Sequence, residues 1–375
     1  MDGSGCKYNS TRTDRVVMNF KSFKFWINVV TILALVLLVV FARGQIGDAF
    51  GEFASLNLAW MALIIPIQIV NYYSAGKFYQ SYLKTLGQKI RSKELFKVAL
   101  EMNFVNNVFP SGGVSGFGYL GVRLGKLGVK GSTTTLLQTS RHVLTFLSFI
   151  VYLQIALLLL SLFGNASGLI ILIASSLSSF IVFLAFIIVY IISDEKRVKQ
   201  FTGVLPKFAN KILQFFHKKN KKPINIGKIE KLFGDLNKDY KHVRKNWKDL
   251  RYPFLWTMMM NFTEILTIFV VYLAFGNVIN PGAIIIAYAV ANVAGLVAVL
   301  PGGVGVYEGL MTAVMASAGV PQALALSATV VYRVFNMGIF LPLGYLLYQK
   351  ALREDKVDPK EIEGIADKNK DITDE

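Results

Sequence analysis

The sequence predicts an all-α polytopic membrane protein with six spanning helices and two re-entrant helical hairpins, arranged as an inverted-topology repeat. Three observations lead there. Apolar runs long enough to cross about 30 Å of hydrocarbon recur along the chain. The chain is 54% hydrophobic and only 17% charged, with a mean hydropathy of +0.48. Its basic residues are confined to alternate connections, and two glycine-rich breaks fall where that charge pattern leaves no room for a full crossing.

Full spans are expected near 25–42, 56–73, 143–163, 168–192, 253–275 and 322–348. The first has a basic flank but no small-residue cleavage site after it, so it reads as an uncleaved helix rather than a signal peptide. Residues 1–24 and 74–95 hold five Lys/Arg each, and residues 193–252 hold seventeen against six Asp/Glu. The connections 43–55, 164–167 and 276–281 together hold one, Arg43. By the positive-inside rule the basic segments are cytoplasmic and both termini lie inside, which suits a plasma (inner) membrane protein.

That orientation forces residues 74–142 to enter and leave from the cytoplasm, and residues 276–321 to enter and leave from outside. Each segment carries an apolar half-helix (96–109 and 282–300), a glycine break and a second half-helix, the sequence form of a re-entrant hairpin. An offset of 191 lays FPSGGVSGFG (109–118) over LPGGVGVYEG (300–309). It aligns Pro110 with Pro301, Gly112 with Gly303, Gly118 with Gly309, Gly128-Val129 with Gly319-Val320, and His142 with Arg333. The expected organisation is therefore a basic N-terminus at 1–24 and a first repeat at 25–163, its hairpin at about 96–128. A second repeat at 168–348 has its hairpin at about 282–320 and holds the basic insertion 193–252; a charged tail follows at 349–375.

Ionisable residues inside apolar segments are costly and face a cavity or a partner. Glu264, Glu308 and Arg333 are the strongest candidates. Glu264 and Arg333 fall in mid-span, and Glu308 is expected about two turns into the half-helix after Pro301. Arg333 is read as a headgroup ligand or, alternatively, as the partner of Glu264 or Glu308 in a buried ion pair that pins the helices; the two are compatible, because such a pair can open to a charged headgroup. Arg141 and His142 are placed at the start of the 143–163 span, as a headgroup site or as interfacial anchors. Lys97, Arg123, Lys126 and Lys130 are expected to snorkel to the cytoplasmic interface.

A half-helix that begins after Pro-Gly-Gly leaves N–H groups unpaired and aims its positive dipole end inward, a site for phosphate or carboxylate. Pro110, Gly112, Gly113, Pro301, Gly302, Gly303 and Gly305 belong to those breaks. Cys6 is the only cysteine, and the three histidines are far apart, so neither a metal site nor a cofactor is expected.

The stretch LPGGVGVYEGLMTAVMASAGVPQALALSATVVYRVFN resembles the membrane region of lysylphosphatidylglycerol synthases, a flippase-like family. FPSGGVSGFGYLGVRLGKLGV resembles that family's first-half motif, and the resemblance extends over about 20 to 350. It implies movement of a lipid headgroup across the membrane. It places weight on Pro301, Gly302, Gly303, Gly305, Glu308 and Arg333, and secondarily on Pro110, Gly112 and Gly113. Two departures matter. A charged tail of 27 residues (349–375) stands where the lysyl-transferring enzymes carry a soluble catalytic domain, so lysyl transfer by this chain alone is not expected. Phe117 stands where Glu308 sits in the second motif, so the two breaks differ chemically.

The insertion 193–252 spaces Val198, Phe201, Leu205, Phe208, Ile212 and Phe215 at helical intervals among lysines. Such basic amphipathic helices lie on anionic leaflets. No aromatic platform for bases accompanies them, so nucleic acid is not the expected partner. The reading is a transporter without covalent chemistry that moves a phospholipid or a polyprenyl-phosphate-linked lipid. Alternatives are a membrane-embedded glycosyl- or aminoacyl-transferase component and a non-transporting partner of a separate synthetase. A homo-oligomer is left open.

Overall fold

A computed structural model describes residues 56–109, 114–162, 168–192, 194, 196–197, 200, 247–295 and 305–354. The expected 25–42 span, Pro110, Gly112, Gly113, Pro301, Gly302, Gly303, most of the basic insertion and the tail beyond Glu354 lie outside these residues. Among the described residues all regular structure is helical: α1 (Leu58–Thr85), α2 (Ser92–Val108), α3 (Val114–Gly125), α4 (Gly131–Leu162) and α5 (Gly168–Ile192). After a short 3₁₀ turn at Trp247–Leu250 come α6 (Arg251–Ala274), α7 (Pro281–Gly295), α8 (Val306–Ser317), α9 (Gln322–Gly338) and α10 (Leu341–Glu354).

Among the described residues, four stretches are long and apolar enough to cross a membrane: Leu58–Thr85, Thr133–Leu162, Lys248–Ala274 and Gln322–Arg353. Helix α5 adds 25 residues without a charge. In three places the helices depart from the expected spans. Helix α1 continues twelve residues past 73, because Tyr79, Tyr82 and Leu83 bury against α2 and extend its packed face. Helix α4 begins at Gly131, not 143, since its polar first turns pack against the hairpin above them. The 322–348 run is divided at Ile339–Phe340: Pro342 has no N–H to give the Gly338 carbonyl, so the hydrogen-bond ladder stops there.

The centre is the α1–α6 pair, the most extensive helix contact among the described residues. Lipid is as apolar as leucine, so polar contacts inside the bundle add adhesion that burial alone does not supply. Gln68 Nε2 donates to Thr267 Oγ1 at 3.0 Å, and Asn71 Nδ2 donates to Thr263 Oγ1 at 2.8 Å. Around this pair the helices exchange partners: α2 packs on α10, and α7 packs on α4. Both crossings depend on glycine. A Cβ on Gly344 would lie 2.6 Å from the Leu100 carbonyl oxygen, and one on Gly282 would lie 2.7 Å from that of Ala156.

The 191-residue offset maps Gly131, where α4 begins, onto Gln322, where α9 begins. It also maps one helix ending onto another. Gly128 (φ 81°) and Gly319 (φ 88°) adopt the left-handed conformation that closes a helix. Val129 N–H reaches Leu124 O at 3.0 Å, and Val320 N–H reaches Met315 O at 3.1 Å, so corresponding atoms make corresponding bonds.

A polar cavity between the hairpins

Helices α1, α2, α4, α6, α7, α8 and α9 converge on a polar cavity of about 430 Å³. Its depth follows from helix register. Glu264, on its wall, lies thirteen residues past Arg251 and ten before Ala274 in a helix about 36 Å long. The cavity thus sits near the midpoint of the central spanning helix, where an ordinary apolar bundle would have only packed side chains.

Glu264 is held by three donors. Asn71 Nδ2 reaches Oε1 at 3.0 Å; the Tyr332 hydroxyl and Asn336 Nδ2 each reach Oε2 at 2.7 Å. Asn336 Nδ2 also donates to the Tyr332 hydroxyl at 2.8 Å. The spacing of Tyr332 and Asn336, one helical turn apart on α9, aims both at the same carboxylate. This one group therefore binds α1, α6 and α9 together.

Arg333 pairs with Glu308, not Glu264. Its Nη1 lies 3.3 Å from Glu308 Oε1, and the guanidinium stacks over the Tyr307 ring at 4.7 Å. Glu308 is 3% exposed and Arg333 9%. Glu308 stands in the first turn of α8 rather than two turns in, because the helix begins at Val306. From there Oε2 accepts the Gly305 N–H at 2.6 Å. Gly305 has φ 90°, which permits the sharp entry into the helix. The Glu308 carboxylate thus occupies the positive helix end that the sequence assigns to an incoming anion. Arg333 keeps its face on the cavity, whose wall it shares with Tyr307 and Met337.

Arg141 also lines the cavity, ten residues into α4 rather than at its start. Its Nη1 donates to the Tyr79 hydroxyl at 2.7 Å. His142, the residue that aligns with Arg333, turns elsewhere: Nδ1 lies 2.8 Å from the Gln138 carbonyl oxygen, and its ring stacks on Phe117 at 5.7 Å. The second cavity guanidinium is therefore Arg141, one position before the aligned residue.

Arg123 does not snorkel. Its Nε lies 2.9 Å from Glu101 Oε2, which also accepts the Tyr119 hydroxyl at 2.8 Å, and the two charged side chains are 12% and 1% exposed. The pair clamps α2 to α3 inside the first hairpin. Lys97 pairs with Glu94 at 2.9 Å near the start of α2, where both are about one-third exposed. Glu94, at the α2 entry, has its carboxyl held below the ordinary range, chiefly by the Lys97 hydrogen bond.

An inventory of charges alone misses most of the wall. Asn103, Asn106 and Asn107 face the cavity from α2. Asn261 donates to Ser148 and accepts from the Tyr288 hydroxyl at 3.2 Å, joining α4, α6 and α7. The sequence signal was present: EMNFVNNVF carries asparagines at i, i+3 and i+4 of an apolar helix, one face of a turn.

These features define a multi-pass helical membrane protein with a charged, carboxamide-lined chamber at mid-depth. The model of the lysylphosphatidylglycerol synthase TM region matches residues 25–344, and the chain belongs to that family. It is also similar to a UPF0104 membrane protein of Methanothermobacter thermautotrophicus, 23% identical over 323 residues, covering 85% of this chain and 91% of that one. A UPF0104 membrane protein of Pyrococcus horikoshii is 23% identical over 253 residues, 66% of this chain and 73% of its own length.

Proposed function

We propose that this protein is a flippase-like transporter that moves the headgroup of a phospholipid or polyprenyl-phosphate-linked lipid across the membrane. The observation that carries the reading is the mid-depth cavity, which Arg141, Arg333 and Glu264 line together with carboxamides. A guanidinium pair at that depth suits a lipid phosphate, whose oxygens take bidentate hydrogen bonds. The reading includes six spans, two re-entrant hairpins in inverted repeat and a plasma-membrane location with both termini cytoplasmic. The matched endings at Gly128 and Gly319 and the crossed packing of α2 on α10 and α7 on α4 support it. The basic insertion rests on the anionic inner leaflet.

The reading also assigns roles. Arg333 exchanges its Glu308 contact for the headgroup phosphate, and Arg141, which lines the same cavity, also binds it. Glu264 holds three helices in the register that shapes the chamber.

The test is headgroup translocation in proteoliposomes. Headgroup-fluorescent phospholipids are quenched from outside by a membrane-impermeant reductant. Quenching beyond the outer-leaflet fraction, lost in both Arg333→Ala and Arg141→Gln, is expected. Quenching limited to that fraction for every phospholipid and polyprenyl phosphate would overturn the reading in favour of a transferase or a scaffold.

A further inference from the structure

A second opening lies on the outer face of α1. The inner face of that helix carries Asn71, Tyr72, Ala75 and Tyr79 into the central cavity. The outer face carries Ile69, Val70, Tyr73 and Lys77 along a groove of about 500 Å³, whose other wall includes Lys93 and Phe96 of α2. Gly76 makes this groove. A Cβ there would lie 3.0 Å from the Phe96 backbone N and Cα, so the bare backbone lets α2 approach closely.

The groove changes from cationic to apolar along its length. The two helices run antiparallel here, with Gln80 against Ile90 and Gly76 against Phe96. Lys77 precedes the apolar floor on one wall, and Lys93 stands one turn before Phe96 on the other. Both walls therefore pass from ammonium to hydrocarbon in the same direction. From Lys77 to Ile69 is eight residues, about 12 Å of helix. The floor is open: Ile69, Val70 and Tyr73 are 48%, 40% and 45% exposed. Nearby aromatic groups fix the depth. Tyr73 meets Trp256 edge-on at 5.9 Å, and Arg251 packs over the Tyr252 ring at 4.7 Å. Tyrosine and tryptophan beside cations collect at the headgroup level of a bilayer.

The cationic end has no counter-charge of its own. Lys77 Nζ meets neutral groups, Gln80 Oε1 at 3.1 Å and the Tyr73 ring at 5.5 Å. Gln80 is anchored in turn, its Nε2 donating to the Ile90 carbonyl at 3.2 Å. Among the described residues neither Lys77 nor Lys93 forms an ion pair, and the nearby acid, Glu94, is engaged by Lys97 at 2.9 Å. Residues 74–97 hold six Lys/Arg and that one acid, so the end stays positive with Glu94 counted in full.

We propose that this groove binds one anionic phospholipid, its phosphate at Lys77 and Lys93 and an acyl chain along Ile69, Val70, Tyr73 and Phe96. A soluble anion would leave the apolar floor uncovered, and a lipid without net charge would leave the lysines unmatched. The bound lipid joins α2 to the central helix from outside. The site is separate from the cavity and stands whether or not the cavity carries lipid.

Photolabelling tests it. The full chain, purified in detergent, is irradiated with phosphatidylglycerol carrying a diazirine in its acyl chain, and labelled residues are read by peptide sequencing. Label is expected on Ile69, Val70 or Tyr73. Unlabelled phosphatidylglycerol should compete about tenfold better than phosphatidylcholine with the same chains, the effect of two lysines close to an anionic headgroup. Lys77→Gln with Lys93→Gln should erase that difference. Lys84→Gln with Lys89→Gln, which removes the same charge from the same connection outside the groove, should leave it intact. Val70→Trp fills the floor with both lysines in place and should cut the label at Ile69 and Tyr73 by about fivefold or more. Matching thermal melts show that the variants fold, and the competition between the two lipids needs no variant. Equal competition by both lipids, equal loss in both pairs of variants, or full labelling of Val70→Trp would overturn the proposal. So would absence of label at these residues, the result if a second copy or another segment of the chain covers the groove.

Discussion

Replacing Glu308 by Gln keeps the side chain's size but removes the charge that faces Arg333 at 3.3 Å. At an effective dielectric constant of about 20, two unit charges at that distance attract by about 5 kcal/mol. Desolvation of both ions takes back a large part. The two side chains are 10% and 4% exposed, so little solvent screening remains beyond what the cavity supplies. The amide oxygen of Gln can still accept the Gly305 N–H, so the cap is weakened rather than lost. Glu308→Gln should then destabilise the protein by about 2–4 kcal/mol, most of it the penalty of a buried guanidinium left without its carboxylate. Arg333→Gln should cost a similar amount. The double variant should cost less than the sum, with a coupling of about 2 kcal/mol. Equilibrium unfolding in mixed micelles, followed by tryptophan fluorescence, measures all four corners of the cycle. Additivity within about 0.5 kcal/mol would refute the claim that this pair ties α8 to α9.

Other perturbations separate packing from electrostatics. Gly344→Ala and Gly282→Ala each press a Cβ against a backbone carbonyl, at 2.6 and 2.7 Å, and should cost about 1–3 kcal/mol. Gly309→Ala, with nothing within 4 Å, should change stability by less than about 0.5 kcal/mol in the same unfolding measurement. Glu101→Gln removes the carboxylate that Arg123 meets at 2.9 Å and should cost about 3 kcal/mol, whereas an Arg123 in water would make the change nearly silent. The Glu94–Lys97 pair gives a pH dependence of known sign. Because the folded carboxyl is held low, its contribution is present above the ordinary carboxylate pKa and is lost as pH falls through the folded value. With both partners about one-third exposed, Glu94→Gln should remove no more than a few tenths of a kcal/mol of acid sensitivity, read as a melt against pH.

The apolar helices were legible from hydropathy, and Glu264 and Arg333 because each is a local charge in an apolar background. The matched helix endings at Gly128 and Gly319 were legible for a related reason: each needs the positive φ that glycine adopts without strain. Partners were less legible. Whether Arg333 meets Glu264 or Glu308 depends on how α8 and α9 cross, and Arg123 reaches Glu101 only because the hairpin folds back over 22 residues. The start of α4 was misplaced because TTTLLQTS lacks the hydropathy of a span, yet it is helical and packed in the bundle. Arg141 thereby moved from a helix end to the cavity wall. The asparagines escaped a search keyed to charge, although an uncharged amide in mid-membrane also needs a partner.

The central claim is that a lipid headgroup enters the mid-depth cavity. In a Cys6→Ser background, Thr145→Cys places a thiol on the cavity wall and Phe180→Cys places one on the exposed face at the middle of α5. Reconstituted protein is exposed to a phospholipid carrying a maleimide on its headgroup. The account predicts that the Thr145→Cys protein acquires the lipid's mass, while Phe180→Cys, facing acyl chains that headgroups do not reach, stays unmodified. A Thr145→Cys thiol as inert as the one at 180 would contradict it.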